Sequence, residues 1–169
     1  KFIATAMLEI IRDCYVYDTD SVTIVEIMGR HAGWLTASAA LPRTVGARAP
    51  HLIYLPEVAF DPEQFIRDVK QVQSLTRNCI VAVSEGVRLA GGTFAAENFQ
   101  SGVVDAFGHR YLSGVGKYLE SLVREKIGCK VRSIELNVLQ RCSSHLMSAT
   151  DVREARKIGS YAIRFALQG

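Results

Sequence analysis

Cysteine is scarce and poorly arranged for chemistry: the four in 169 residues are widely spaced and form no CxxC pair. That pattern argues against both a zinc site and a redox dithiol. No apolar stretch approaches the roughly 20 residues that cross a bilayer, and the first residues lack a charged region followed by an apolar signal core. The expectation is a soluble, cytoplasmic chain with reduced thiols and no membrane partner. An excess of charge is missing too. The net charge of +3 comes from 20 basic and 17 acidic residues in mixed sequence, with no basic run and no aromatic-basic interleave. Nucleic acid is therefore not an expected partner. Internal repeats and low-complexity linkers are also absent. The length suits one domain with a real core, so residues 1–169 are read as a single domain.

Against those absences one stretch stands out, Ser21 to Trp34, SVTIVEIMGRHAGW. A β-branched apolar run breaks at Gly29 into Arg30, His31 and a helical pattern. Strand, turn and helix start in that order make a ligand-facing turn, because free N–H groups at a helix start favour an anion and open α/β sheets bind ligands at the carboxyl ends of their strands. A plain connection with a surface arginine is the rival reading at this point.

Elsewhere strands and helices alternate. Residues 1–13 read as a helix with Ile3, Met7, Ile10 and Ile11 on one stripe, already helical at its first residue, which suggests a missing upstream part. A strand is expected over 22–28, a helix over 32–41 and a short strand over 51–55 before Pro56. Asp61-Pro62-Glu63 opens a further helix with Asp as N-cap and Pro at the first helical position. NCIVAVSE is a strand with Cys79 as a small core residue. Residues 87–110, with Gly91, Gly92, Gly102 and Gly108, lose periodicity. GVGKYLESLVREKIG is a helix closed by Gly128, and CKVRSIELNVLQR is a strand running into Arg141. A last helix starts near a capping Thr150, with Ile158, Ala162, Phe165 and Ala166 as its packing face. This alternation predicts an α/β fold, three layers of α/β/α around a mostly parallel sheet.

Strands side by side bring Arg30, Glu85 and Arg141 toward one rim. Guanidinium forks suit a phosphate and a carboxylate accepts sugar hydroxyls, so the set fits a sugar phosphate, although Glu85 and an arginine pairing only with each other would fit as well.

EIMGRHAGWLTASAAL, LIYLPEVAFD, IVAVSEGVR and RSIELNVLQR, in this order and at these spacings, resemble successive landmarks of the phosphofructokinase family over nearly the whole chain. The resemblance implies the substrate half of a homo-oligomeric kinase that phosphorylates the 1-hydroxyl of fructose 6-phosphate, with magnesium and either ATP or pyrophosphate. By that likeness Met28, Gly29 and Arg30 line the sugar phosphate, and Arg30 also supports the transferring phosphoryl group as the catalytic residue. Glu85 takes sugar hydroxyls and Arg141 holds the 6-phosphate, while Arg132 reaches to the neighbouring subunit's sugar phosphate. Val138 stands where the bacterial ATP-dependent pattern has a histidine, and Ser21 where it has an arginine. ELNVLQRCSSH looks more like the pyrophosphate-dependent branch. The family's TIDxD segment, whose aspartate is the general base, and its glycine-rich donor loops do not occur in this sequence. The resemblance therefore implies part of a longer enzyme, inactive alone, with magnesium held mainly by residues outside this chain and no metal ligands of its own.

The other reactive residues carry less. Cys142 follows Arg141, yet packing is the favoured reading even there. His31 is expected to pack near Trp34 and His51 to lie at a strand edge; His109 and His145 are given no role. Two rivals to the enzyme reading are a non-catalytic sugar-phosphate sensing or assembly module of the same fold, and a nucleotide-binding kinase of another α/β family, against which the missing Walker-type loop speaks. An apolar face left uncovered would drive association, so a dimer or larger species is expected.

Overall fold

A computed structural model describes residues 1–99 and 114–168. Helix α1 (Phe2–Cys14) leads into strand β1 (Ser21–Ile27), the short helix α2 (Trp34–Ala37) continued by a 3-10 stretch (Ser38–Val45), and β2 (Leu52–Tyr54). Next come α3 (Pro62–Gln73), β3 (Asn78–Ser84), α4 (Val115–Lys126) and β4 (Lys130–Glu135). A single turn of helix, α5 (Leu139–Cys142), precedes the long α6 (Ala149–Gln168). The four strands lie in the order β2-β3-β1-β4, and every pairing is parallel.

The two central strands are apolar because both of their faces are covered. Val22 and Ile24 of β1 and Cys79, Val81 and Val83 of β3 pack with Phe65 and Val69 of α3 and Leu119 and Val123 of α4. The alternate residues Val25, Ile27, Ile80 and Ala82 pack with Ile3, Met7 and Ile11 of α1 and with Ala39. Helices thus cover both faces of a parallel sheet, the three-layer α/β arrangement expected from the alternation. Cys79 lies in the first of these clusters, and burial pushes its thiol up to about 12. Local signals hold as well. Asp61 Oδ1 accepts from Glu63 N at 2.9 Å to cap α3, and Gly128 N donates back to Val123 O at 3.1 Å to close α4.

Several expectations need correction. The helix expected over 32–41 is α-helical for only four residues and then tightens into 3-10, with Pro42 and its missing donor inside that stretch. The strand expected to run into Arg141 ends at Glu135. Asn137 turns the chain at φ 39, so Arg141 sits in the helical turn α5. Helix α6 is capped by Ser148, whose Oγ lies 3.5 Å from Asp151 N, while Thr150 lies inside the helix. Its apolar stripe packs on nothing among the described residues: no residue of α6 is buried, and Ile158 and Phe165 are each 69% exposed. His31 and Trp34 are both exposed, Trp34 at 83%, so His31 is not the packed residue expected. His51 does lie at the strand edge, where its Nδ1 accepts from Ile80 N at 2.9 Å. Part of the irregular stretch 87–110, with Gly102, Gly108 and His109, lies outside the described residues.

Candidate functional site

Strand register decides which loops meet. Ile27 stands opposite Ser84, so Met28-Gly29-Arg30 and Glu85-Gly86 leave the sheet side by side. Strand β4 ends one step earlier, with Glu135 opposite Glu26, and the chain then folds over through α5 toward the same rim.

Hydrogen bonds tie these turns into one body. Gly29 N donates to Glu85 Oε1 at 3.2 Å, and Met28 N donates to Gln140 Oε1 at 2.8 Å. The buried Ser84 hydroxyl donates to Gly29 O at 2.5 Å and accepts from Gly86 N at 3.1 Å, bridging the two turns. From a third loop, Glu57 Oε1 accepts from Gly33 N at 2.7 Å, just beyond the Arg30 turn. Gly86 is pressed against this assembly: a Cβ there would lie 2.1 Å from the Arg30 carbonyl oxygen.

Electrostatics follow from that packing. Burial raises the Glu85 carboxyl above its ordinary range, while the Gly29 N–H, Arg30 and Arg141 each pull it back. Arg30 and Arg141 therefore both act on Glu85, Arg30 from the turn after β1 and Arg141 from α5. Two cations around a carboxylate whose second oxygen is left for hydroxyls can hold a phosphorylated polyol. Arg132 is elsewhere. It lies opposite Thr23 in the first half of β4, pairs with Asp13 Oδ2 at 2.5 Å, and bonds Thr23 Oγ1 at 3.3 Å and Cys14 Sγ at 3.5 Å. No carboxyl-end loop brings it to Arg30.

Sequence reasoning missed four residues here. Ser84, Glu57 and Gln140 act through backbone groups of distant loops. Glu26 did carry a signal, a lone carboxylate inside the apolar run of β1. It is buried, and its two oxygens cap α4 by accepting from Gly116 N at 2.7 Å and Gly114 N at 3.3 Å. Burial raises it to about 7, the Glu135 and Glu85 carboxylates add to the rise, and the two N–H bonds oppose it.

A cavity of 440 Å³ adjoins the rim, lined by Gln140, Arg141 and Ser143 on one side and by Ile3, Leu35 and Val152 on the other. It touches the site at Gln140 and Arg141, while Met28, Gly29 and Arg30 are half-buried. Among the described residues no three His, Cys, Asp or Glu side chains gather as a metal centre, so these residues do not fit a magnesium ion by themselves. Nor, among them, is any helix long and apolar enough to cross a membrane.

Ser84→Ala tests the bridge. Losing both bonds and leaving the Gly86 N–H unmet should cost about 1–3 kcal/mol, read as a lower urea midpoint with unchanged slope. An unchanged midpoint would mean the hydroxyl carries no such bridge.

The family model described as Phosphofructokinase matches residues 3–166. A pyrophosphate--fructose 6-phosphate 1-phosphotransferase of Halomonas elongata is 39% identical over 171 residues, which cover 100% of this chain and 40% of that protein. The enzyme of the same name from Rhodospirillum rubrum is 46% identical over 156 residues, 88% of this chain and 38% of its own. Among solved structures, the pyrophosphate-dependent phosphofructokinase of Marinobacter aquaeolei superposes with a TM-score of 0.74 at 32% identity, over 99% of this chain and 38% of that one. The chain thus spans about two-fifths of the length of the relatives it matches.

Proposed function

Because the chain belongs to the phosphofructokinase family, we propose that it is the sugar-phosphate-binding part of an enzyme that phosphorylates the 1-hydroxyl of fructose 6-phosphate. The observation that carries this reading is the convergence of Arg30, Glu85 and Arg141 on one rim of the parallel sheet, with the Gly29 N–H held by Glu85. Pyrophosphate is the favoured donor. The close relatives with 39% and 46% identity are named as pyrophosphate enzymes, and ELNVLQRCSSH points the same way.

Each residue has a distinct task. Arg141 holds the 6-phosphate by a charge-assisted fork, Glu85 accepts from the sugar hydroxyls, and the Met28-Gly29 backbone lines the ligand. Arg30 reaches the reacting end and offsets charge on the transferring phosphoryl group. Transfer of this kind depends on positioning and on electrostatic stabilisation, and the turn after β1, pinned from three loops, supplies a fixed cation for both. Arg132 serves a neighbouring subunit's sugar phosphate in a homo-oligomer, and there it must exchange its pairing with Asp13 for the incoming phosphate. The donor clamp, the base and the magnesium ligands belong to the rest of the enzyme, so this chain alone binds without turnover. Residues 1–169 act as one substrate-binding domain in the cytoplasm.

Ligand-observed NMR tests the reading directly, comparing fructose 6-phosphate with glucose 6-phosphate, and wild type with Arg141→Ala. A lost charge-assisted contact is worth about 1.5–3 kcal/mol, so Arg141→Ala should weaken fructose 6-phosphate on the order of 10- to 100-fold. Equal binding of the two esters, or no binding by a folded chain at millimolar ligand, would sink it.

A further inference from the structure

Three contacts hold the backbone of the Met28-Gly29 turn, and one of them comes from across the sheet. Ser84 and Glu85, at the end of the adjacent β3, reach Gly29. The third, on Met28 N, is made by Gln140, which sits in α5 one residue before Arg141. Met28 N donates and needs an acceptor opposite it, so the side-chain amide of Gln140 turns its Oε1 to the turn. Its Nε2 is then left buried, without a hydrogen-bond partner among the described residues. The usable chemistry of Gln140 is the Met28 bond, between the turn that carries Arg30 and the helical turn that carries Arg141.

We propose that Gln140 is a positioning residue for phosphoryl transfer: through the Met28 N–H it locks the Arg30 turn to the α5 turn that bears Arg141. Anchoring a sugar phosphate at Arg141 and aiming Arg30 at the reacting end are thereby one structural event. The inference rests on the functional reading given above. It assigns Gln140 no contact with the reacting atoms. Its effect passes through the backbone of Met28, so it is expected to fall more heavily on the rate of transfer than on ground-state affinity.

Two variants separate these roles in the full-length protein that carries this chain. Gln140→Met keeps the length and volume of the side chain and removes both polar ends. Gln140→Glu keeps an acceptor for Met28 N and removes only the donor. The Met variant is expected to lose about tenfold in kcat, with KM for fructose 6-phosphate changed less than about twofold. The Glu variant should recover most of that kcat, even where its added charge raises KM. In the 169-residue chain, the Met28 amide proton should move upfield in Gln140→Met and return in Gln140→Glu. Unchanged kcat with a raised KM in the Met variant would overturn the proposal, because it marks a ligand contact. So would an unmoved Met28 amide, or a Glu variant as slow as Met. Failure of the functional reading is separately visible, since the wild-type full-length protein would then not phosphorylate fructose 6-phosphate at all.

Discussion

Gly86→Ala is expected to abolish measurable fructose 6-phosphate binding while leaving the sheet assembled. A methyl group at this position would sit 2.1 Å from the Arg30 carbonyl oxygen, 2.6 Å from its carbon and 2.8 Å from its Cα. No side chain can swing aside to relieve this, since all three atoms are backbone. The backbone of Arg30 must therefore move, and the bonds that Ser84 and Glu85 make to Gly29 move with it. Overpacking of this kind costs about 1–3 kcal/mol, which the two apolar layers can absorb without unfolding. The site has no such slack, because the Met28-Gly29 backbone that lines the ligand and the Arg30 charge are displaced together. Circular dichroism together with the NMR titration checks this. A folded Gly86→Ala chain that binds like wild type would show that the Arg30 turn does not need its present position.

Glu26→Gln should have the largest effect on stability, and its size depends on pH. The Glu26 carboxyl, buried against the α4 N-terminus with the Glu135 and Glu85 carboxylates acting on it, is raised to about 7 from an ordinary 4.5. The folded chain therefore holds a proton that the unfolded chain has released. That contribution is fully present below about pH 4.5 and is lost as pH rises to about 7. Across this window the loss is on the order of 3 kcal/mol. Glutamine resembles the protonated acid, with one acceptor oxygen for the Gly116 N–H and no charge to bury. The variant is expected to match wild type near pH 5 and to exceed it at pH 8 by up to about 3 kcal/mol in urea melts. A difference between the two chains that does not change with pH would mean the buried carboxyl is not titrating in this range.

Elements with local causes were legible in the sequence. Asp61-Pro62-Glu63 names its own helix start, and β1 and β3 announce themselves as β-branched runs too apolar to have an exposed face. From those, the Arg30 and Glu85 turns follow as neighbours, because parallel strands deliver their carboxyl ends to one side; Arg141 comes from the α5 turn and not from a strand end. What was not legible depends on distance along the chain. Glu26 caps a helix 88 and 90 residues away, and Gln140 holds a backbone amide 112 residues away. Neither spacing leaves a local pattern. The strand read through to Arg141 failed because Val138 and Leu139 continue an apolar run that Asn137 has already turned aside; both are about half exposed. The stripe on α6, expected as a packing face, is exposed, because a one-sided apolar pattern says only that a partner surface is needed, not that the described residues contain it.

The sheet order carries a consequence for how the molecule is made. β1 lies between β3 and β4, and its partners arrive late: Ser21 waits 57 residues for Asn78, and Thr23 waits 109 for Arg132. At about 5–20 residues per second, the fourth strand leaves the ribosome roughly 5–20 seconds after the one it must join. Until then β1 is an apolar strand with an open edge, and the Met28 amide has no glutamine to receive it. Closing such long-range parallel contacts is slow, and an exposed edge of this kind can pair with the wrong chain. Segments synthesised well after β1 are thus the ones that both flank it in the sheet and set the turn that carries Arg30.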